Sequence, residues 1–164
     1  MKNERRRKSV KDYNTKTAQL WKIESANLIS QYKDNKKDFE KVLHDVVGRG
    51  SGVLRNIKTE DFPNFSEYVR KNLSKIEAGN FDIFSVKEFS GKKPTSFISK
   101  ICHIVNPKDY PLIRDANVKK ALKIGESKTK WQEKISELQK QQKGKESDEK
   151  LYLHDSELWS GETV

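Results

Sequence analysis

Phe39, Val42, Leu43, Val46 and Val47 fall at i, i+3, i+4, i+7 and i+8, the spacing that lays apolar side chains along one face of an α-helix. The same period recurs along the chain. Ala18, Trp21, Ser25, Leu28, Ile29 and Tyr32 share a face over residues 15–32, and Phe65, Tyr68, Val69, Leu73 and Ile76 share another. Phe97, Ile98, Ile101, Ile104 and Val105 form a further stripe, then Val118, Ala121 and Leu122, continued by Trp131, Ile135 and Leu138 in a lysine-rich helix. No segment alternates apolar and polar residues with the period of a strand. Stripes of this kind are buried by packing helix on helix, so the fold class is all-α, a single compact helical domain of about seven helices.

Turn chemistry separates the stripes. Gly48-Arg49-Gly50-Ser51-Gly52 ends the second helix, and Pro63-Asn64 opens the third, which Gly79-Asn80 closes. A short apolar segment follows from Phe81 to Phe89, and Ser90 to Thr95 reads as a turn. Asn106-Pro107 stops the next helix, because the residue before a proline is pushed out of the α region. Asp115 stands at the N-cap position of the helix that begins with Val118 in its first turn. Residues 1–12 read as a flexible basic arm, 13–159 as the helical domain with an exposed polar stretch at about 139–150, and 160–164 as a tail. Leu151-Tyr152-Leu153 and Leu158-Trp159 restore hydrophobicity after that stretch and predict that the end of the chain packs back on the domain.

The length of 164 residues suits one domain, and 35% of the residues are charged. No stretch approaches the ~20 consecutive apolar residues of a bilayer crossing. The N-terminus has no apolar core of a secretory leader, so the expected setting is cytoplasmic, away from membranes. The single cysteine, Cys102, excludes an intrachain disulfide, and since His103, its neighbour on a helix, points about 100° away, Cys102 is expected to be a packed small hydrophobe rather than a thiol catalyst. His44, His103 and His154 have no metal-ligand spacing, so no metal and no cofactor are expected. The Gly48–Gly52 loop follows a helix and lacks a following Gly-Lys-Ser/Thr, so it is not a P-loop.

Charge points to a partner. The net charge is +10, and it is uneven: residues 146–164 carry six acidic side chains against one lysine, while residues 116–145 carry nine lysines against three glutamates. A basic body of this kind fits a polyanion, with nucleic acid, DNA first, as the expected partner. Arg5, Arg6, Arg7 and Lys8 would neutralise phosphates, and Arg49 sits in a glycine loop able to bend close to one.

The segment SGKKPTSFISKICHIVNPKDYPLIRDANVKKAL, residues 90–122, holds a turn, an apolar helix with Ser99-Lys100, Asn106-Pro107 at its end, Tyr110-Pro111-Leu112-Ile113, and Asp115 followed by Val118. Here the chain resembles the helix-hairpin-helix DNA glycosylase superfamily, in the direction of 8-oxoguanine glycosylases. The C-terminal Leu153-His154-Asp155-Ser156-Glu157-Leu158-Trp159 is similar to a helix that closes many such domains. The resemblance implies a hairpin that grips a phosphate, with Lys92, Lys93 and Ser96 at it, an aspartate at Asp115 that stabilises a sugar cation or orients a nucleophile, and an aromatic-lined pocket for a flipped base. Trp21, Phe62, Phe65 and Tyr110 are the candidate walls.

The chain departs from that pattern twice. The hairpin has Gly91 alone where the superfamily carries a Gly-x-Gly core, and Pro94 removes a donor. The lysine of lyase-type members falls at Ser96 here, and Lys100, four residues on, shares its face. These departures turn the reading toward a nucleic-acid-binding module without robust catalysis, of a kind that suits a phage or mobile element acting on a host nucleic-acid or defence system. The alternatives are an active base-excision glycosylase or lyase that uses Lys100 and Asp115, and a non-catalytic inhibitor or adaptor that docks an acidic protein.

Overall fold

A computed structural model describes residues 15–48, 57–142 and 147–160. The described residues hold seven α-helices: α1 Thr15–Tyr32, α2 Lys36–Val42, α3 Phe62–Glu77, α4 Thr95–Val105, α5 Ala116–Leu122, α6 Lys128–Gln142 and α7 Asp148–Ser160. The all-α expectation therefore holds. No described helix is long and apolar enough to cross a membrane.

Helix α4 is the centre of the domain. Phe97, Ile98, Ile101, Cys102 and Ile104 are all inaccessible to solvent, and α4 packs against α1 and α3. Phe97 stacks on Phe65 of α3 with ring centroids 5.3 Å apart. Helix α3 buries Phe62, Phe65, Val69, Leu73 and Ile76 along the expected stripe, with Pro63 in its first turn, where a missing N–H costs nothing. Helix α7 packs against α1 and α5 and buries Leu151 and Leu158, so the end of the chain does return to the core.

The stripe from Phe39 to Val47 is not one regular helix. Asn35 caps α2 by accepting the Asp38 N–H, and after Val42 the backbone widens into a π-helical turn, Leu43–Val47. Leu43 and Val47 stay fully buried, and the Val46 carbonyl accepts the Trp21 indole N–H at 3.0 Å. The wider turn thus ties α1 to the second helical unit. The lysine-rich stretch also divides: Lys123 adopts a left-handed conformation with φ 57° and Gly125 one with φ 59°, and these separate α5 from α6.

The connection from α3 to α4 runs over residues 78–94. It contains a 3-10 turn, Ile83–Ser85, and a two-residue hairpin in which Phe89 and Lys92 exchange both backbone hydrogen bonds, at 2.8 and 3.1 Å. Ser90 and Gly91 supply the two positive φ values, 55° and 77°, that such a hairpin turn requires. The expected turn is therefore present, entered from extended and 3-10 backbone. Asn106 does more than end α4. Its side-chain amide donates to the carbonyls of Ile76 and Glu77 at the end of α3 and to Asp109 at 2.7 Å. Gly79, with φ 75°, makes room for this junction: a Cβ there would lie 2.4 Å from Asp109 Oδ2. Gly79→Ala is expected to cost roughly 1–3 kcal/mol through strain and displacement of Asp109. Urea denaturation measures this, and an unchanged midpoint would show that the junction yields freely.

Candidate functional site

Two buried hydrogen bonds fix where the 106–115 linker returns to the domain. Ser99, one residue before Lys100, accepts the Arg114 N–H at 2.9 Å through its hydroxyl. Asp155, on α7, accepts the Ile113 N–H at 2.7 Å. The next linker residue, Asp115, caps α5 by accepting the Val118 N–H at 2.8 Å. Pinning Arg114 beside Lys100 brings Lys100 and Asp115 into one electrostatic environment, as each shifts the ionisation of the other.

The Lys100 ammonium lies over the Trp21 ring, 5.3 Å from its centroid. Burial lowers the Lys100 pKa to about 8; Asp115 opposes this, the Lys22 cation adds to it, and Asp155 opposes it more weakly. Burial raises the Asp115 pKa above the usual carboxylate value, against the Val118 N–H, which favours the anion. A lysine lowered to about 8 is neutral in about one tenth of molecules at pH 7 and about one half at pH 8. That is the state in which an amine attacks a carbonyl carbon.

Behind this pair lies a buried polar cluster. Lys22 donates to Asp155 Oδ2 at 2.7 Å, Ser156 Oγ at 2.9 Å and the Tyr152 carbonyl at 3.1 Å. The Lys22 and Asp155 side chains are 4% and 2% exposed. His103 is fully buried, with Nδ1 2.8 Å from the Tyr110 carbonyl, so Nδ1 carries the proton and donates. Its Nε2 has no hydrogen-bond partner and stands 3.8 Å from Asp155 Oδ2. Burial, with Lys22 nearby, lowers the His103 pKa to about 4. The sequence reading gave Lys22, His103 and Asp155 no part in a site. The signal was there in part: Lys22 shares a helical face with Ser25 and Ile29, and Asp155 lies on the face of Leu151 and Leu158. A charged residue on an apolar stripe needs a buried partner.

The remaining candidates are distributed over the surface and the core. Lys92 and Lys93 are exposed on the hairpin, and Ser96 is half-buried, its carbonyl accepting the Ser99 hydroxyl at 2.8 Å. Arg5, Arg6, Arg7, Lys8 and Arg49 lie outside the described residues. Cys102 is inaccessible, and burial raises its thiol pKa far above the usual value, so it packs as a small hydrophobe. The four candidate aromatic walls separate. Phe62 and Phe65 are core residues, because α3 turns them toward α4 and the π turn. Trp21 lies under Lys100. Tyr110 lines a cavity of about 250 Å³ together with Phe81, Phe84, Ser99 and Trp131. The Arg114 guanidinium lies over the Phe84 ring at 4.9 Å.

No family model, curated protein or solved structure matches the chain.

Proposed function

We propose that this protein binds nucleic acid and that Lys100 and Asp115 form an amine–carboxylate centre of the base-excision glycosylase/lyase class. One observation carries the reading: a lysine amine lowered to about 8, resting on an indole, within the field of a carboxylate at a helix N-cap. In this reading the neutral Lys100 Nζ adds to the aldehyde carbon C1′ of a ring-opened abasic sugar, and the carbinolamine loses water to give an iminium cation that Asp115 stabilises. Loss of a C2′ proton to solvent or to the Asp115 carboxylate then breaks the C3′–O bond and releases the 3′ phosphate. The position of Lys100 one turn beyond Ser96 compensates for the missing lysine at 96. A cavity beside Ser99, with Phe84, Tyr110 and Trp131 in its walls and neither Lys100 nor Asp115 lining it, offers an aromatic surface one residue along α4 from the amine.

Binding rests on charge. Lys92 and Lys93 are exposed on the hairpin that leads into α4, and the chain carries a net +10. Replacing both hairpin lysines with alanine is expected to weaken DNA binding equally across sequences and to make the plot of log K against log salt shallower by roughly two. An unchanged slope would make the hairpin a solvated surface. The chemical half of the reading is tested by incubating the purified protein with a duplex containing one abasic site. Incision beside that site supports it. Salt-dependent binding with no incision leaves a binding module, and no salt-dependent binding at all favours an acidic protein partner.

A further inference from the structure

We infer that Asp155 and Lys22 are positioning residues, a buried pair on α7 and α1 that holds the Lys100–Asp115 centre in place; the inference rests on that centre being the working site. Asp155 Oδ1 accepts the Ile113 N–H, two residues before Asp115, at 2.7 Å. Its other oxygen takes the Lys22 ammonium, also at 2.7 Å, and Lys22 is the neighbour of Trp21, on which Lys100 rests. One carboxylate thereby joins the helix beneath the amine to the linker that delivers the aspartate. The anchor is rigid. An ammonium has three protons, and those of Lys22 are all placed, on Asp155, Ser156 and the Tyr152 carbonyl.

The charges around the amine come from three helices: Lys22 from α1, Asp155 from α7, and Asp115 from the cap of α5. His103, on the same helix as Lys100, faces Asp155 and is uncharged at neutral pH. Loss of the pair removes a cation that lowers the Lys100 pKa together with an anion that raises it, so the two charges offset each other, and it frees α1 and the linker to move apart and admit water to the amine. That relief of burial returns Lys100 toward the behaviour of an ordinary lysine.

The test uses the full chain without nucleic acid. Acetic anhydride labelling across a pH series, followed by peptide mass spectrometry, gives the midpoint at which Lys100 becomes reactive. Lys22→Met alone leaves a bare carboxylate in the interior and is expected to fold poorly. The deciding variant is Lys22→Met with Asp155→Asn, which removes both charges and keeps an acceptor for the Ile113 N–H. In the wild type the midpoint is expected near 8. In the folded double variant it is expected to rise by about one unit, which cuts labelling at pH 8 roughly five-fold. A folded double variant whose Lys100 midpoint stays at the wild-type value overturns the inference. The outcome is separable from the lyase reading: a midpoint that follows the pair in a protein that never incises abasic DNA leaves the positioning intact and removes the chemistry.

Discussion

Lys100→Ala is expected to reduce incision of an abasic-site duplex to background, a loss of roughly 10³-fold or more under single-turnover conditions. The same substitution removes at most one phosphate contact, so binding should weaken only slightly. Asp115→Asn is expected to lower incision by roughly 10²-fold or more while leaving the fold intact, because asparagine caps a helix as well as aspartate does. The wild-type rate should rise with pH, because the amine acts without its proton and Lys100 is lowered to about 8. The neutral fraction is about one half at pH 8 and about one hundredth at pH 6, so the rate should fall roughly fifty-fold between them. A flat profile, or incision that survives Lys100→Ala, places the nucleophile elsewhere.

Asp155→Ala is expected to destabilise the domain by about 3–5 kcal/mol. It leaves the Lys22 ammonium, 4% exposed, without its counter-ion, and it strips the Ile113 N–H of its acceptor. Urea denaturation at pH 7 reads this loss, and a cost below about 1 kcal/mol would mean that water reaches Lys22. The same cluster makes stability depend on pH. His103 has its pKa lowered by burial to about 4 from an ordinary 6.5. The unfolded chain therefore takes up the proton first as pH falls. The contribution is complete above pH 6.5 and is lost progressively down to about 4, by about 3 kcal/mol. His103→Asn, which keeps a donor for the Tyr110 carbonyl, should flatten that slope.

Local signals in the sequence reached the elements and stopped short of their assembly. Helix α1 spans the segment that the Trp21–Tyr32 stripe marked, and Asp115 caps α5 because an aspartate ahead of an apolar turn has its acceptor in reach of the backbone. Asn106-Pro107 marked the end of α4, where the proline constraint is covalent. The π turn was not legible, because the spacing from Phe39 to Val47 satisfies a regular helix and a widened one alike. The pairing of Lys22 with Asp155 spans 133 residues, and no periodicity encodes which two charged stripes will meet. The fate of Phe62 and Phe65 was equally tertiary: an aromatic residue on an apolar face lines a cavity or fills a core according to what packs opposite, and here α4 and its Phe97 fill the space.

Reduction by borohydride on an abasic-site duplex, followed by peptide mapping of the covalent adduct, tests the central claim most directly. Trapping alone does not decide it, since the chain carries 27 lysine side chains. Mapping does. The amine–carboxylate reading predicts one adduct, on the peptide that carries Lys100, formed more readily at pH 8 than at pH 6. An adduct on any other lysine, or none under conditions where the protein holds the duplex, contradicts it.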